Sequence, residues 1–408
     1  MRLQPAIQLR EQWRHLDSSG SDSRATLSPP VFRLKHFADI KVYRELGPEI
    51  RSHWIELSKN AVQTPYQSLK WYEAWLTTAG KSKAEKPFIV AVFDADGNPT
   101  VIVPLVLQGG PVTLAKFPGG KHANYNFPLV RRDVEIAVER RHFLSEALGT
   151  VSSGVDLFWF DAQPLQWQGM PNPLLTQEAC QEHAATSSVL ELADGTGTRN
   201  ASFRHRSSYR KLQKLGAIVK RAGNEHDISA VLKSFFSQKS QWFRARELPD
   251  SFAQQGISEF FRKLFSKEGP GELFALQVGD DTLAVAGVLV SLDRASLMFV
   301  SYDLNHPLAK LGLGTHLIRS LIEEFNRRSI AQFDFGLGDA EYKRLLGART
   351  EPAFVSFKAV TAKGRIVAFV LAAVQTLKAY MKRSDWLFRL VQRVRRCGQT
   401  TGTRDTSV

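Results

Sequence analysis

The sequence predicts a mixed α/β protein in which one order of elements occurs twice and a helical extension follows. Three observations predict it. Two halves are expected, 31–190 and 191–365, and within them residues 48–161 and residues 227–335 each read helix, helix, three strands, helix, strand. The strand-like runs are joined by turn compositions, "DADGNP" at 94–99 and "GDD" at 279–281. The helix candidates carry apolar residues at helical spacing on one face. No residue-level repeat accompanies this order, so the repetition is one of architecture.

In the first half, order is expected to begin near Val31. Residues 1–30 are polar and Ser-bearing, and read as a disordered tail. Residues 48–59 are helical, with Pro48 suited to the first position and Leu46, Ile50, Trp54 and Leu57 roughly on one face. Ser68 can cap a second helix over 69–77 that carries Trp71, Tyr72 and Trp75. Strands are expected at 88–93, 100–107 and 112–117, the third ending at Pro118-Gly119-Gly120. A helix over 132–149 and a buried strand over 155–161 complete the set. Residues 162–200 read as irregular, with Pro164, Pro171 and Pro173, apart from a short strand at Leu190. A basic helix at 207–216 and a short strand at Val219 come next.

In the second half, Asp227 can cap a helix running to Arg244, with Ile228, Val231, Leu232, Phe235, Phe236 and Trp242 on one face. A helix is expected at 256–267, then strands at 273–279, 282–291 and 296–302. A helix over 312–328, a strand at 332–335, a short helix at 340–346 and a strand at 353–360 follow. Residues 366–396 form a basic helical extension, whole or broken at Ser384-Asp385, and 397–408 a second tail.

Composition narrows the function classes. The chain has 408 residues, 43% hydrophobic and 23% charged, as soluble globular proteins do. Cys180 and Cys397 are far apart and neither sits in a CxxC pair, so no disulfide or metal framework is implied and a reducing, cytoplasmic setting is expected. Residues 199–221 carry eight Lys/Arg and no acid; residues 366–408 carry eight against two. Together they account for the whole net charge of +14. Such runs suit anionic partners, or are solvated faces. No secretory signal is evident, and the apolar run 366–374 is too short for a bilayer, which needs about twenty residues. No GxSxG elbow, Walker loop, HExxH or Cys/His cluster appears, so no catalytic metal is expected.

The chemistry is expected in the second half. The loop "NHPLAKLGLGT" at 305–315 leads into a helix whose start offers free N–H groups and a positive dipole end to an anion. Gly312 and Gly314 remove Cβ atoms that would hold a pyrophosphate away, Thr315 adds a hydroxyl and Lys310 a charge. Glycines in an ordinary turn are the competing reading. One helix later stands "FDFGLGDAEYK" at 333–343. Asp334 ends an apolar strand, where open α/β sheets bind ligands, or it caps the next helix or pairs with Lys343.

The element order, the "GLGT" loop and "FDFGLGDAEYK" resemble the CelD/BcsL-type acyltransferases of the GNAT superfamily. "PYQSLKWYEAW", "RSSYRKLQKLG" and "FFSQKSQWFRARELPDSF" resemble further landmarks of that family, over roughly 35–365. The Fem-type aminoacyltransferases, which also stack two GNAT-like folds, are more distantly similar. The resemblance implies two tandem GNAT-like domains and acyl-CoA as cosubstrate. It implies that Lys310, Leu311, Gly312, Leu313, Gly314 and Thr315 take the place of the pyrophosphate loop. Ala309 stands where that family usually has Gln or Arg. It also implies Tyr342 as the acid that protonates the departing thiolate, a role its ordinary pKa of about 10 suits. Packing is the other reading of Tyr342.

Lys239 interrupts the apolar stripe between Phe236 and Trp242, and the resemblance places a lysine there. It either snorkels outward or reaches a buried anion. The loop 118–127 holds His122, Asn124 and Tyr125, candidates for acceptor contact, with His122 a candidate base or a plain surface residue. The expected reaction is acyl transfer to an amine or hydroxyl of a small molecule, glycan or cell-envelope acceptor, with backbone N–H groups of 296–302 holding the oxyanion. Two rivals remain. One is a Fem-like enzyme whose run 199–221 contacts tRNA. The other is a non-catalytic accessory protein of exopolysaccharide synthesis held at a membrane by 366–396, whose helix can equally pack on the domain.

Overall fold

The computed structural model describes residues 39–134, 143–175, 180–192, 206–338, 341–346 and 348–383. Both expected tails, and residues 384–396 of the extension, lie outside the described residues.

The first half runs β1 (Asp39–Tyr43), α1 (Pro48–Ser58), β2 (Ala61–Val62), α2 (Leu69–Thr77), α3 (Ala79–Ser82), β3 (Lys86–Phe93), β4 (Pro99–Gln108), β5 (Leu114–Lys116), β6 (Leu129–Arg131), α4 (Phe143–Thr150) and β7 (Leu157–Pro164). Ser68 caps α2 as expected, accepting the Trp71 N–H at 3.3 Å. The expected helix 132–149 does not include 132–134, which are not helical; its described part is α4, Phe143–Thr150, and 135–142 lie outside the described residues. Four short strands follow, β8 (Gln166–Trp167), β9 (Met170–Pro171), β10 (Cys180–Glu182) and β11 (Ser187–Glu191). The sequence reads most of this stretch as irregular because strands of two or three residues, broken by proline, leave no period to detect.

The second half runs α5 (Arg206–Lys214), β12 (Ile218–Arg221), α6 (Glu225–Arg244), α7 (Ile257–Phe265), β13 (Gly271–Val278), β14 (Asp281–Ser291), β15 (Arg294–Tyr302), α8 (Leu313–Arg327), β16 (Gln332–Leu337), α9 (Glu341–Leu345), β17 (Arg349–Glu351), β18 (Ala353–Ala359) and α10 (Ala362–Arg383). The cap of α6 is Asn224, which accepts the Asp227 N–H at 2.9 Å, so the helix begins two residues before Asp227. The extension begins at Ala362 rather than 366, because Thr361 caps it and accepts the Gly364 N–H at 3.2 Å.

Two mixed sheets result. The nine-stranded sheet has the order β1-β3-β4-β5-β7-β18-β10, with β2 and β6 beside β4. The seven-stranded sheet has the order β12-β13-β14-β15-β16-β11-β17. The halves therefore exchange strands. β11 crosses forward to pair with β16, and β18 returns to pair with β7. The boundary expected at 190/191 falls inside β11 and does not divide the sheets. Element order alone carries no record of which sheet a strand joins.

Packing follows from the strand period. Phe88, Val90 and Val92 of β3 face the core shared by both halves, while Ile89, Ala91 and Phe93 face α1 with Ile50, Trp54 and Leu57. Covering on both faces explains the uninterrupted apolar run. The shared core crosses the halves: Phe260 of α7 meets Trp71 and Trp75 of α2 edge-on at 4.9 and 5.1 Å. α8 covers the other face of the second sheet in a separate core, with Leu313, Leu317 and Leu321 against Ala284, Ala286 and Val288.

Candidate functional site

The second sheet parts in its middle. β15 and β16 run parallel and pair from Arg294↔Gln332 to Ser296↔Asp334. Beyond that, β15 continues along β14 to Tyr302, and β16 continues along β11 to Leu337. A bulge accompanies the parting: Val288 opposes Leu297 and Gly287 opposes Phe299, which leaves Met298 unmatched on β15. An extra residue on one strand bends it and raises its twist, so its neighbour is lost.

A side chain of the first half stands in the opening. Asn124 Nδ2 donates to the Leu297 carbonyl on β15 at 3.1 Å and to the Tyr66 hydroxyl at 2.8 Å. Its carboxamide sits where a Cβ on Gly336 of β16 would be, and Gly336 has φ +71°, so glycine is required there twice over. Next to it, Tyr125 donates its hydroxyl to Asp334 Oδ1 at 2.9 Å. Asp334 also accepts from Ser187 Oγ at 3.2 Å, Ser296 Oγ at 3.1 Å and the Gly336 N–H at 2.8 Å. The Tyr125 and Ser187 hydroxyls are themselves in contact. Asp334 is fully buried. Burial raises its pKa above the ordinary carboxylate value, while Arg294, the Gly336 N–H and the Tyr125 hydroxyl favour the charged form. Lys343 of α9 reaches back to the carbonyls of Gly336 at 3.0 Å and Gly338 at 2.7 Å, and holds the strand end that carries the asparagine contact.

On the α8 side, residues 309–311 form a 3₁₀ turn and Gly312 follows in the left-handed region at φ +73°. No side chain caps α8. A Cβ on Gly312 would meet open space, whereas Gly314 lies 3.3 Å from the Tyr302 ring in the same test. The two glycines therefore serve different ends, a turn at the helix start and a close approach of helix to β15. A small cleft here is lined by Tyr209, Leu311, Gly312, Thr315, His316 and Arg319. Leu313 is buried and Lys310 exposed. Tyr209 of α5 lies over the His316 ring, centroids 4.6 Å apart. Among the described residues, His316 Nδ1 and Arg319 Nε are buried without a hydrogen-bond partner. Sequence reasoning missed Tyr209, His316 and Arg319. The i, i+4 spacing of Thr315 and Arg319 was the available signal.

On the α6–α7 side, two expected residues, His122 and Lys239, meet the Phe252 ring, and Trp242 lies beside Lys239. The His122 ring meets Phe252 at 5.1 Å and Phe261 at 5.4 Å, both edge-on. Burial, aided by Lys83 and Lys121, lowers its pKa to about 3, so the imidazole is neutral. It is a packed ring and not the exposed loop histidine that its setting suggested. The Lys239 ammonium lies 5.6 Å from the Phe252 ring and 5.8 Å from that of Trp242. Burial lowers its pKa to about 8, against the pull of Asp250.

Tyr342 packs against Phe335, centroids 6.1 Å apart, and burial raises its pKa to about 12. A further cleft of about 380 Å³ opens where the β15–β16 pairing starts, with Tyr125, Gln168, Arg294 and Glu351 in its lining. There Arg294 lies 4.3 Å over the Trp167 ring and donates through Nε to Gln332 at 2.8 Å.

Residues 199–344 match the family model of the acetyltransferase (GNAT) domain. The matched GNAT segment contains the parted strands, the α8 start, Lys239, Asp334, Tyr342 and Lys343. It leaves out β11 and β18, and also Asn124 and Tyr125, which reach the matched segment from the first half. Among solved structures, the chain is similar to FemX, with 12% identity, a TM-score of 0.55, and 78% of this chain and 98% of that one covered. It is also similar to L-PGS from Bacillus licheniformis, with 12% identity, a TM-score of 0.50, and 81% and 98% covered. At such identity the likeness is one of fold, and it extends over both halves. No curated protein matches the chain. Among the described residues, no group of three His, Cys, Asp or Glu side chains is gathered as a metal site would require.

Proposed function

We propose that this chain is an acyltransferase whose GNAT domain moves an acyl group from acyl-CoA to an amine or hydroxyl. The observation that carries the reading is the parting of β15 from β16 beside the uncapped start of α8. The first N–H groups of α8 have no helical partner and face an anion with the positive end of the dipole. Gly312 leaves room for a phosphate, and Thr315 and Arg319 add polar donors in the same cleft. At the bulge, an unpaired N–H of β15 can donate to the thioester carbonyl and to the oxyanion formed from it. The acceptor's nitrogen or oxygen attacks that carbonyl carbon and gives up its proton to neutral Lys239, the carbon–sulfur bond breaks, and the thiolate takes a proton from Tyr342, which recovers one from solvent. Burial holds Tyr342 at about pKa 12, so it is fully protonated but a weaker acid than the ordinary tyrosine of the sequence expectation, and its proton passes only as charge gathers on the sulfur.

The acceptor lies on the opposite face, near Phe252, which His122 and Lys239 both meet, with Trp242 beside Lys239. Lys239 near pKa 8 is a group that can exchange a proton close to neutrality. The CelD/BcsL-type resemblance favours a polysaccharide or cell-envelope acceptor. Calorimetric titration with acetyl-CoA and with a long-chain acyl-CoA tests the donor. Absence of both heat and thermal shift at about 1 mM, the upper end of ordinary substrate affinities, would sink the reading.

One observation favours a second donor. The basic helix α5, with Arg206, Arg210, Lys211 and Lys214, stands against the Gly312 cleft through Tyr209. A Fem-like use of aminoacyl-tRNA would place those cations on phosphates. Binding would then weaken steeply with salt, which a filter-binding titration measures.

A further inference from the structure

The helix α10 is apolar on two opposite faces. Its inner face, Val367, Ala368, Leu371 and Ala372, packs on Leu157 of β7 and on Val355 and Phe357 of β18. Its start is fastened there: Thr361 Oγ1 donates to Asp156 Oδ1 at 2.6 Å, and Gly364 lies so close to the Asp156 carbonyl that a Cβ has no space. Its outer face carries Ile366, Phe369, Val370, Leu377 and Tyr380, exposed to 68, 77, 52, 57 and 63%. At 100° per residue these five, with Ala373, form one continuous stripe opposite the packed face. A helix with apolar residues on two opposite faces ordinarily has cover on both, and contiguous apolar patches of this kind mark interaction sites.

The charge around the stripe selects the occupant. Residues 362–383 contain five Lys/Arg and no Asp or Glu. Lys363 and Arg365 are exposed and fall on opposite margins of the stripe. The chain beyond it, residues 384–396, adds Trp386, Leu387 and Phe388 with Arg389, Arg393, Arg395 and Arg396, against the single acid Asp385. An apolar stripe rimmed by cations, on a stretch without acids, matches an anionic bilayer surface, acyl chains under the stripe and headgroups beside its margins, and the composition of the chain that follows suits the same surface. We propose that α10 seats the protein in the interface of a membrane rich in anionic lipid, lying in the plane of that surface. No described helix is long and apolar enough to cross a membrane, and the proposal needs none to. It stands apart from the acyl-transfer reading.

Flotation of the full chain with vesicles of phosphatidylglycerol and phosphatidylcholine tests it. The full chain is expected to float with these vesicles and to remain below with phosphatidylcholine alone. The double variant Phe369→Ser/Leu377→Ser is expected to lose at least about tenfold in partitioning, with an unchanged melting curve because both side chains are exposed. Lys363→Gln/Arg365→Gln is expected to weaken anionic binding and flatten its salt dependence. Failure of the full chain to float with anionic vesicles overturns the proposal, and so does equal flotation of the double serine variant. A full chain that is dimeric by light scattering, becomes monomeric with the serine pair and binds no vesicle would assign the stripe to a second copy instead.

Discussion

The Tyr125 hydroxyl donates to Asp334 Oδ1 at 2.9 Å, across 209 residues of chain and between the two halves. Ser187 and Ser296 complete the ring of hydroxyls around that carboxylate. With four donors and full burial, Asp334 is the anchor of the seam, and its chemical neighbours Asn124 and Lys343 shape the parted strands. Removing the carboxylate strands these donors in the interior. Asp334→Ala is expected to cost about 3 kcal/mol or more, and Tyr125→Phe about 1–2 kcal/mol, in urea unfolding. An Asp334→Ala protein within 0.5 kcal/mol of the parent would refute the anchoring role.

Gly336 and Gly312 both have positive φ, yet differ in what surrounds them. Alanine at 312 meets open space and carries only the backbone cost, about 1 kcal/mol. Alanine at 336 must also displace Asn124 from the opening between β15 and β16. Gly336→Ala is therefore expected to lower stability by at least about twice as much, and to impair transfer, as denaturant midpoints at constant slope will measure. Equal costs would mean that Asn124 moves aside freely.

Lys239 gives a pH signature with a definite sign. Its folded pKa, about 8, lies below the ordinary 10.5. Between those values the unfolded chain holds the proton more tightly, so stability rises with pH across that window. Below about pH 8 the native state carries the buried ammonium at a disadvantage. Lys239→Met is expected to be more stable than the parent at pH 7, with the gap closing toward pH 10. A gap constant from pH 7 to 10 would place the ammonium in water.

Tyr342→Phe keeps the packing on Phe335 and removes the proton. If Tyr342 protonates the leaving thiolate, kcat is expected to fall about a hundredfold with little change in the KM for the donor. An unchanged kcat would leave Tyr342 as a packing residue.

His122 is a fair measure of what a sequence conceals. Its polar, glycine-bearing loop suggests a titrating histidine, but Phe252 and Phe261 enclose it, and its pKa falls to about 3. Those two phenylalanines are more than a hundred residues away in the chain. His122→Phe is accordingly expected to leave the pH profile of transfer unmoved between about pH 5 and 8, the range where an ordinary histidine titrates.

The sequence by itself determined what depends on near neighbours. Helix faces, caps such as Ser68, the turns at Gly97 and Gly279, and the glycine-marked start of α8 all follow from residues a few positions apart. So did the candidates Gly312, Asp334 and Lys239, each conspicuous against its local pattern. Only the tertiary structure decided how the halves join. It placed β11 beside β16 and β18 beside β7, set Asn124 in the parting of the second sheet, and closed Tyr125 on Asp334. Sheet partnership is chosen by backbone hydrogen bonds that are alike for every residue type, and burial by neighbours distant in the chain, so neither leaves a local periodicity to read.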